Sequence, residues 1–173
     1  MENIRNSAYS ELMAKYNSFF LYKDTIKSII LGSSHAQFGF IPNFYSINSY
    51  NLGIPSCDLS HCYHLLKKII TPQSKYYAPQ LNEVILYFSF FHFSFNLYKS
   101  TQNFHTILLS HFFETPKRYI IINEKEIKQS FNLNENYLDY CIKNSNKYHG
   151  YYPHCPYLYK KMKKTFKSKE MKS

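Results

Sequence analysis

The chain has no tryptophan, only four glycines among 173 residues, and half as many acids as bases, with 11 Asp and Glu against 21 Lys and Arg. Each shortage excludes something. With so few glycines, each one marks a place where the backbone has a special requirement. Four cysteines in a chain of this length do not make a disulfide scaffold. With cytoplasmic placement expected, Cys57, Cys62, Cys141 and Cys155 read as reduced thiols. The longest apolar stretch, "VILYFSFFHFSF", is too short to span a bilayer, so no transmembrane segment is expected. Charged and polar residues interrupt the N-terminus, "MENIRNSAYSELMAKYNSFF", so no secretory signal is expected there.

Apolar residues make up 45% of the chain, enough for one packed domain of this length. Tyr and Phe are abundant at 18 and 15, alongside many Lys, Asn and Ile. That joint bias reads as a compositional habit of the whole chain, not as a base-stacking surface. The net charge of +10 is concentrated at one end. Residues 160–173, "KKMKKTFKSKEMKS", hold seven Lys and one Glu, leaving +4 for residues 1–159. The expected organisation is one domain over 1–159 and a Lys-rich tail over 160–173. Such a tail attracts anions without sequence preference, and no nucleic-acid recognition motif accompanies it.

Apolar spacing predicts an opening helix over 7–20, with Tyr9, Leu12, Met13, Tyr16 and Phe20 on one face. "KSIILG" at 27–32 and "SYNLG" at 49–53 read as short strands closed by glycine. Asp58 reads as the N-cap of an amphipathic helix, "LSHCYHLLKKII", which Pro72 stops. "NEVILYFSF" at 82–90 reads as a strand covered on both faces. Further on, "TILLSHFF" reads as helical, "RYIIIN" at 118–123 as a strand or a helix start, and 134–144 as a helix. "HGYYPHCPYLY" reads as irregular. Strands joined through a helical crossover predict an α/β domain with a parallel sheet.

In such sheets, sites form at the carboxyl ends of strands. That rule gathers Gly32-Ser33-Ser34, Asn51-Leu52-Gly53 and Ser89 to His92. A serine beyond one strand and a glycine N–H beyond the next form an acyl-transfer layout: a nucleophile and an oxyanion donor.

"ILGSSHAQFGF", then "YNLGIPSCDLSHCYHLLKKI", then "EVILYFSFF" resemble, in order and spacing, the SGNH or GDSL-like hydrolases and acyltransferases. The resemblance covers residues 27–96 and is nearest to divergent members found with cell-surface polysaccharide genes. It implies a flavodoxin-like three-layer sandwich, here incomplete at the C-terminal side. It also implies Ser34 as nucleophile, Gly53 as oxyanion donor, an acylated carbohydrate or small ester as substrate, and no cofactor or metal. The third block departs from the family, since "YFSFFHF" lacks Gly-x-Asn-Asp, which leaves Ser89 or His92 as the donor there. No Asp-x-x-His is read anywhere along the chain, which leaves His154 or His149 as the base. Two other readings stand beside this one: a truncated or inactive family member, and a basic anion-binding protein that uses the tail. An incomplete sheet would leave an open edge, so self-association is expected.

The Cys57, His61, Cys62 and His64 group, like the group of Cys141, His149, His154 and Cys155, lacks a standard zinc spacing. Cys62 falls on the apolar helix face and reads as a buried thiol. His35 reads as a rim residue, because neighbouring side chains diverge at a turn.

Overall fold

The structure, a computed structural model, describes residues 2–100, 104–116 and 135–150. It is an α/β fold. The opening helix α1 spans Glu2–Tyr22, longer at both ends than apolar spacing predicts. Three strands follow, β1 (Ser28–Gly32), β2 (Ser49–Asn51) and β3 (Glu83–Tyr87). Between β1 and β2 lie two short helices, α2 (Ser34–Gly39) and α3 (Pro42–Tyr45). Between β2 and β3 lies α4 (Leu59–Ile70), and after β3 come α5 (Phe104–Phe113) and α6 (Glu135–Lys147).

The sheet is parallel, in the order β2-β1-β3. Ile29 of β1 stands between Tyr50 and Val84, and Gly32 stands beside Tyr87. Side chains alternate across the sheet. Ile29, Leu31 and Tyr50 therefore share one face and join a core with Leu12 and Phe19 of α1, Leu65 and Ile69 of α4, and Leu108 and Phe112 of α5. Phe19 meets Tyr50 edge-on at 5.7 Å, and Tyr9 meets Phe112 at 5.3 Å. The other face meets α2 and α3: the Asn51 amide reaches α2 carbonyls, and Tyr45 donates to Glu83.

The central β1 is buried throughout, as its apolar run predicts. The expectation for β3 is corrected. Among the described residues β3 pairs on one side only, and Val84 and Leu86 are 40% and 46% exposed. A continuous apolar run marks a strand but does not say whether a neighbour covers it. Among the described residues β1 takes the sheltered position and β3 the edge. The aromatic run continues outward beyond it, with Phe88, Phe90 and Phe93 all exposed.

Asp58 caps α4 as expected, accepting the His61 N–H at 2.9 Å. No helix among the described residues is long and apolar enough to cross a membrane. The 118–123 segment, residues 151–159 and the Lys-rich tail lie outside the described residues.

Candidate functional site at the ends of β1 and β3

Gly32 closes β1 with φ +143°, a backbone state side chains rarely adopt. A Cβ there would lie 2.7 Å from the Tyr87 carbonyl oxygen. The glycine thus turns the chain out of the sheet while keeping it tight against β3. Ser33 follows as the buried N-cap residue, and Ser34 is the first residue of α2. Ser33 Oγ lies 3.4 Å from His35 Nδ1. The Ser34 hydroxyl has no hydrogen-bond partner among the described residues.

Ser34 lines an open groove of about 590 Å³ together with His35, Phe38, Gly39, Phe40 and Tyr87. The His35 ring lies parallel to Tyr87, 7° between planes and 6.1 Å between centroids. Phe40 meets Tyr87 edge-on at 6.2 Å. The groove thus has aromatic walls and carries the hydroxyls of Ser34 and Tyr87.

Gly53 packs under α2 from the neighbouring strand end. A Cβ on it would fall 2.5 Å from the Gln37 amide nitrogen. Its N–H donates to Asn51 Oδ1 at 2.8 Å. The same Asn51 side chain donates through Nδ2 to the Ala36 and Phe40 carbonyls, at 2.9 and 2.7 Å. Asn51 therefore ties α2 to the end of β2 and takes up the N–H assigned to an oxyanion. Gln37 adds a second tie, donating from Nε2 to buried Glu11 Oε2 at 3.0 Å.

Ser89 and His92 sit beyond β3 at the same end of the sheet. The Ser89 N–H reaches His92 Nδ1 at 3.1 Å, and Ser89 Oγ lies 2.9 Å from that nitrogen. The Ser89 carbonyl oxygen also lies 3.1 Å from Nδ1, so backbone and side chain of Ser89 converge on one ring nitrogen and the pair fastens its own turn.

The structure does not bring His149 to Ser34. Its Nδ1 lies 3.3 Å from the Ser49 carbonyl oxygen, and its ring packs on Tyr22 at 4.5 Å. Ser49 pairs with Ser28, at the opposite end of β1 from Gly32. A five-residue strand spans about 13 Å, so the His149 imidazole is far outside reach of the Ser34 hydroxyl. His154 lies outside the described residues.

An Asp-x-x-His does occur, ahead of the third block, at Asp58–His61. Asp58 Oδ1 lies 2.7 Å from His61 Nδ1, both side chains are buried, and Oδ2 accepts the Leu97 N–H at 2.9 Å. Burial pushes the Asp58 carboxyl up, but bonds from the His61 ring, Leu97 N–H and His61 N–H outweigh it and hold it below the usual range. The pair fixes the start of α4 to the segment after β3. Among the described residues no three His, Cys, Asp or Glu side chains converge as metal ligands do.

No family model, curated protein or solved structure matches this chain.

Sequence reasoning placed Ser34 beyond the carboxyl end of β1 and gathered Asn51 at the next strand end, but gave Asn51 no role and missed Tyr87. Asn51 stands two residues before Gly53, a spacing that fits a side chain returning to a nearby backbone N–H. Tyr87 carries no sequence signal, because only strand register sets it beside Gly32.

Proposed function

We propose that the chain is an SGNH-like serine esterase or O-acyltransferase of flavodoxin-like topology, acting on acylated carbohydrate or a small ester. One observation carries the reading. The β2-β1-β3 order puts a topological switch between β1 and β3, where open α/β sheets bind ligands, and the Ser34 hydroxyl lines a groove there. In this reading Ser34 Oγ attacks the ester carbonyl, and its proton passes to a base. The ester C–O bond then breaks, the alcohol leaves with the proton from that base, and the acyl-serine is resolved by water or by an acceptor hydroxyl that frees Ser34 again. His35 is the only imidazole among the described residues of the groove, and His154 is the candidate outside them. Aromatic walls suit the apolar face of a sugar ring or an acyl chain.

The test compares the wild-type chain with Ser34→Ala on a chromogenic acetate ester and an acetylated oligosaccharide. The expected result is a loss in kcat/KM of at least about a hundredfold in the variant. Labelling by a fluorophosphonate should map to Ser34 and disappear with it. Equal rates sink the catalytic reading. His35→Ala and His154→Ala then sort the two bases.

A second reading, a non-catalytic SGNH-like binding protein, is favoured by the Gly53 N–H being held by Asn51. It expects acetylated oligosaccharide to bind without turnover and Phe40→Ala to weaken that binding.

A further inference from the structure

Cys57 and Cys62 stand on either side of the α4 cap. With Asp58 as N-cap, Cys57 is the residue before the cap and Cys62 the fourth helical residue. An apolar pair at those two positions commonly sets the angle at which a chain enters a helix. Here both members are thiols. Their sulfurs are 3.6 Å apart, and the residues are 1% and 4% exposed. Both are free cysteines.

The frame around them is fixed on each side. The Cys57 N–H donates to the Ile54 carbonyl at 3.0 Å, and Ile54 N–H donates to Gly32 at 2.9 Å. Asp58 holds both the N–H and the ring of His61. A disulfide needs its sulfurs at about 2.05 Å, and rotation about the Cα–Cβ bonds shortens a van der Waals contact toward that length.

We propose that Cys57 and Cys62 are a redox modification site, a dithiol that small-molecule disulfides oxidise to an intramolecular bond across the α4 cap. One cysteine thiolate attacks the small disulfide RSSR, forming a mixed disulfide and expelling one thiolate. The second cysteine thiolate attacks the protein sulfur of that bond and expels the other. The two protons lost by the cysteines end on the two expelled thiolates. The sum is a protein dithiol plus RSSR giving a protein disulfide plus two RSH, a two-electron exchange. The bond would lock α4 to the segment that carries Gly53. The proposal does not depend on Ser34 being catalytic.

The hydrogen bond with Cys62, then burial, holds the Cys57 thiol well above its usual range. Attack therefore follows opening of the first turn of α4, and oxidation is slow but favoured at equilibrium.

The full chain is equilibrated in glutathione buffers from reducing to oxidising, quenched in acid, unfolded and alkylated. No Lys or Arg lies between Ser28 and Lys67, so trypsin leaves both cysteines in one peptide. The expected product is that peptide two hydrogens lighter, without alkyl groups, and restored by reductant. The native chain should reach half-oxidation with an equilibrium constant at least about tenfold above that of the same chain in urea, because its thiols are preorganised. An equal or smaller constant in the native chain overturns the proposal. So does a disulfide that joins either cysteine to Cys141, Cys155 or a second chain.

Discussion

Gly53 shows how one residue can be important for a reason other than the one its motif implies. The motif values its N–H, whereas the structure engages that N–H with Asn51 and depends on the missing side chain. A Cβ at Gly53 would press on backbone, 2.5 Å from the Gln37 nitrogen and 2.9 Å from the Ala36 carbonyl carbon. Backbone cannot swing aside as a side-chain tip can, so Gly53→Ala must displace α2. The expected cost is about 1–3 kcal/mol, read from the urea midpoint, with Ser34 moved out of register with Tyr87. Gly39, at the other end of α2, is the control. An added Cβ there meets nothing within 4 Å and its φ is not positive. Gly39→Ala should be neutral or stabilise by about 0.4–1 kcal/mol through the unfolded chain. If the two variants unfold alike, the close approach of Gly53 to α2 is not what holds the site.

Among the elements, α4 was readable from start to end, whereas β3 was readable as a strand but not in its place in the sheet, for a physical reason. A helix start is written in neighbouring residues: Asp58 at the cap, apolar positions on one face, Pro72 beyond the end. Strand coverage is written in residues far away, because it depends on sheet order, and "EVILY" reads alike at the centre or the edge. The ties that place α2, from Asn51 and from the Gln37–Glu11 pair, likewise join distant segments and leave no local pattern. Even for α4 the sequence showed only half of what Asp58 does. Besides capping, its second oxygen takes the Leu97 N–H, so one carboxylate joins α4 to the chain beyond β3. Asp58→Ala leaves the His61 N–H, the His61 ring and the Leu97 N–H, all buried, without the Asp58 carboxylate. Its expected cost is about 3 kcal/mol, against about 1 kcal/mol for an ordinary cap. Asp58→Asn keeps an accepting oxygen for the cap and should lose less. Equal losses in the two variants, measured by denaturant unfolding, would mean that the carboxylate acts only as a cap.

At the scale of the whole molecule, the determining feature is a lysine that composition alone would send to the surface. Lys15 of α1 is fully buried, and its Nζ donates to the Asn51 carbonyl at 2.9 Å and the Gly150 carbonyl at 2.6 Å. It thereby holds together the opening helix, the end of β2 and the turn after α6. Around it, Tyr50 donates to the Lys15 carbonyl, Ser18 bonds Ser145, and Tyr137 donates to Glu11. Burial lowers the Lys15 pKa to about 7, and nearby Glu11 offsets this only in part. In the unfolded chain the same amine titrates near 10.4. Between those values the unfolded state binds a proton that the native state lacks, so stability rises with pH across the window. From pH 7 to 9 the amine alone contributes about 2 kcal/mol. Thiols and phenols oppose it. Burial pushes Tyr76 and Cys141 up to about 12, Tyr50 is also raised chiefly by burial, and Cys57 is raised by its bond to Cys62 and by burial. The native state keeps those protons while the unfolded chain loses them, so their contribution falls as pH passes through the ordinary Cys value near about 8.5 and then the Tyr value of about 10. Urea midpoints measured from pH 6 to 11 should therefore rise from pH 7, peak between about pH 8 and 9, and fall beyond. Lys15→Met removes the titrating amine and should abolish the rise from pH 7 to 8 while leaving the alkaline fall in place. A wild-type midpoint that is level from pH 7 to 8, or a rise that survives Lys15→Met, would show that the buried amine carries its proton in the folded chain as it does in the unfolded one.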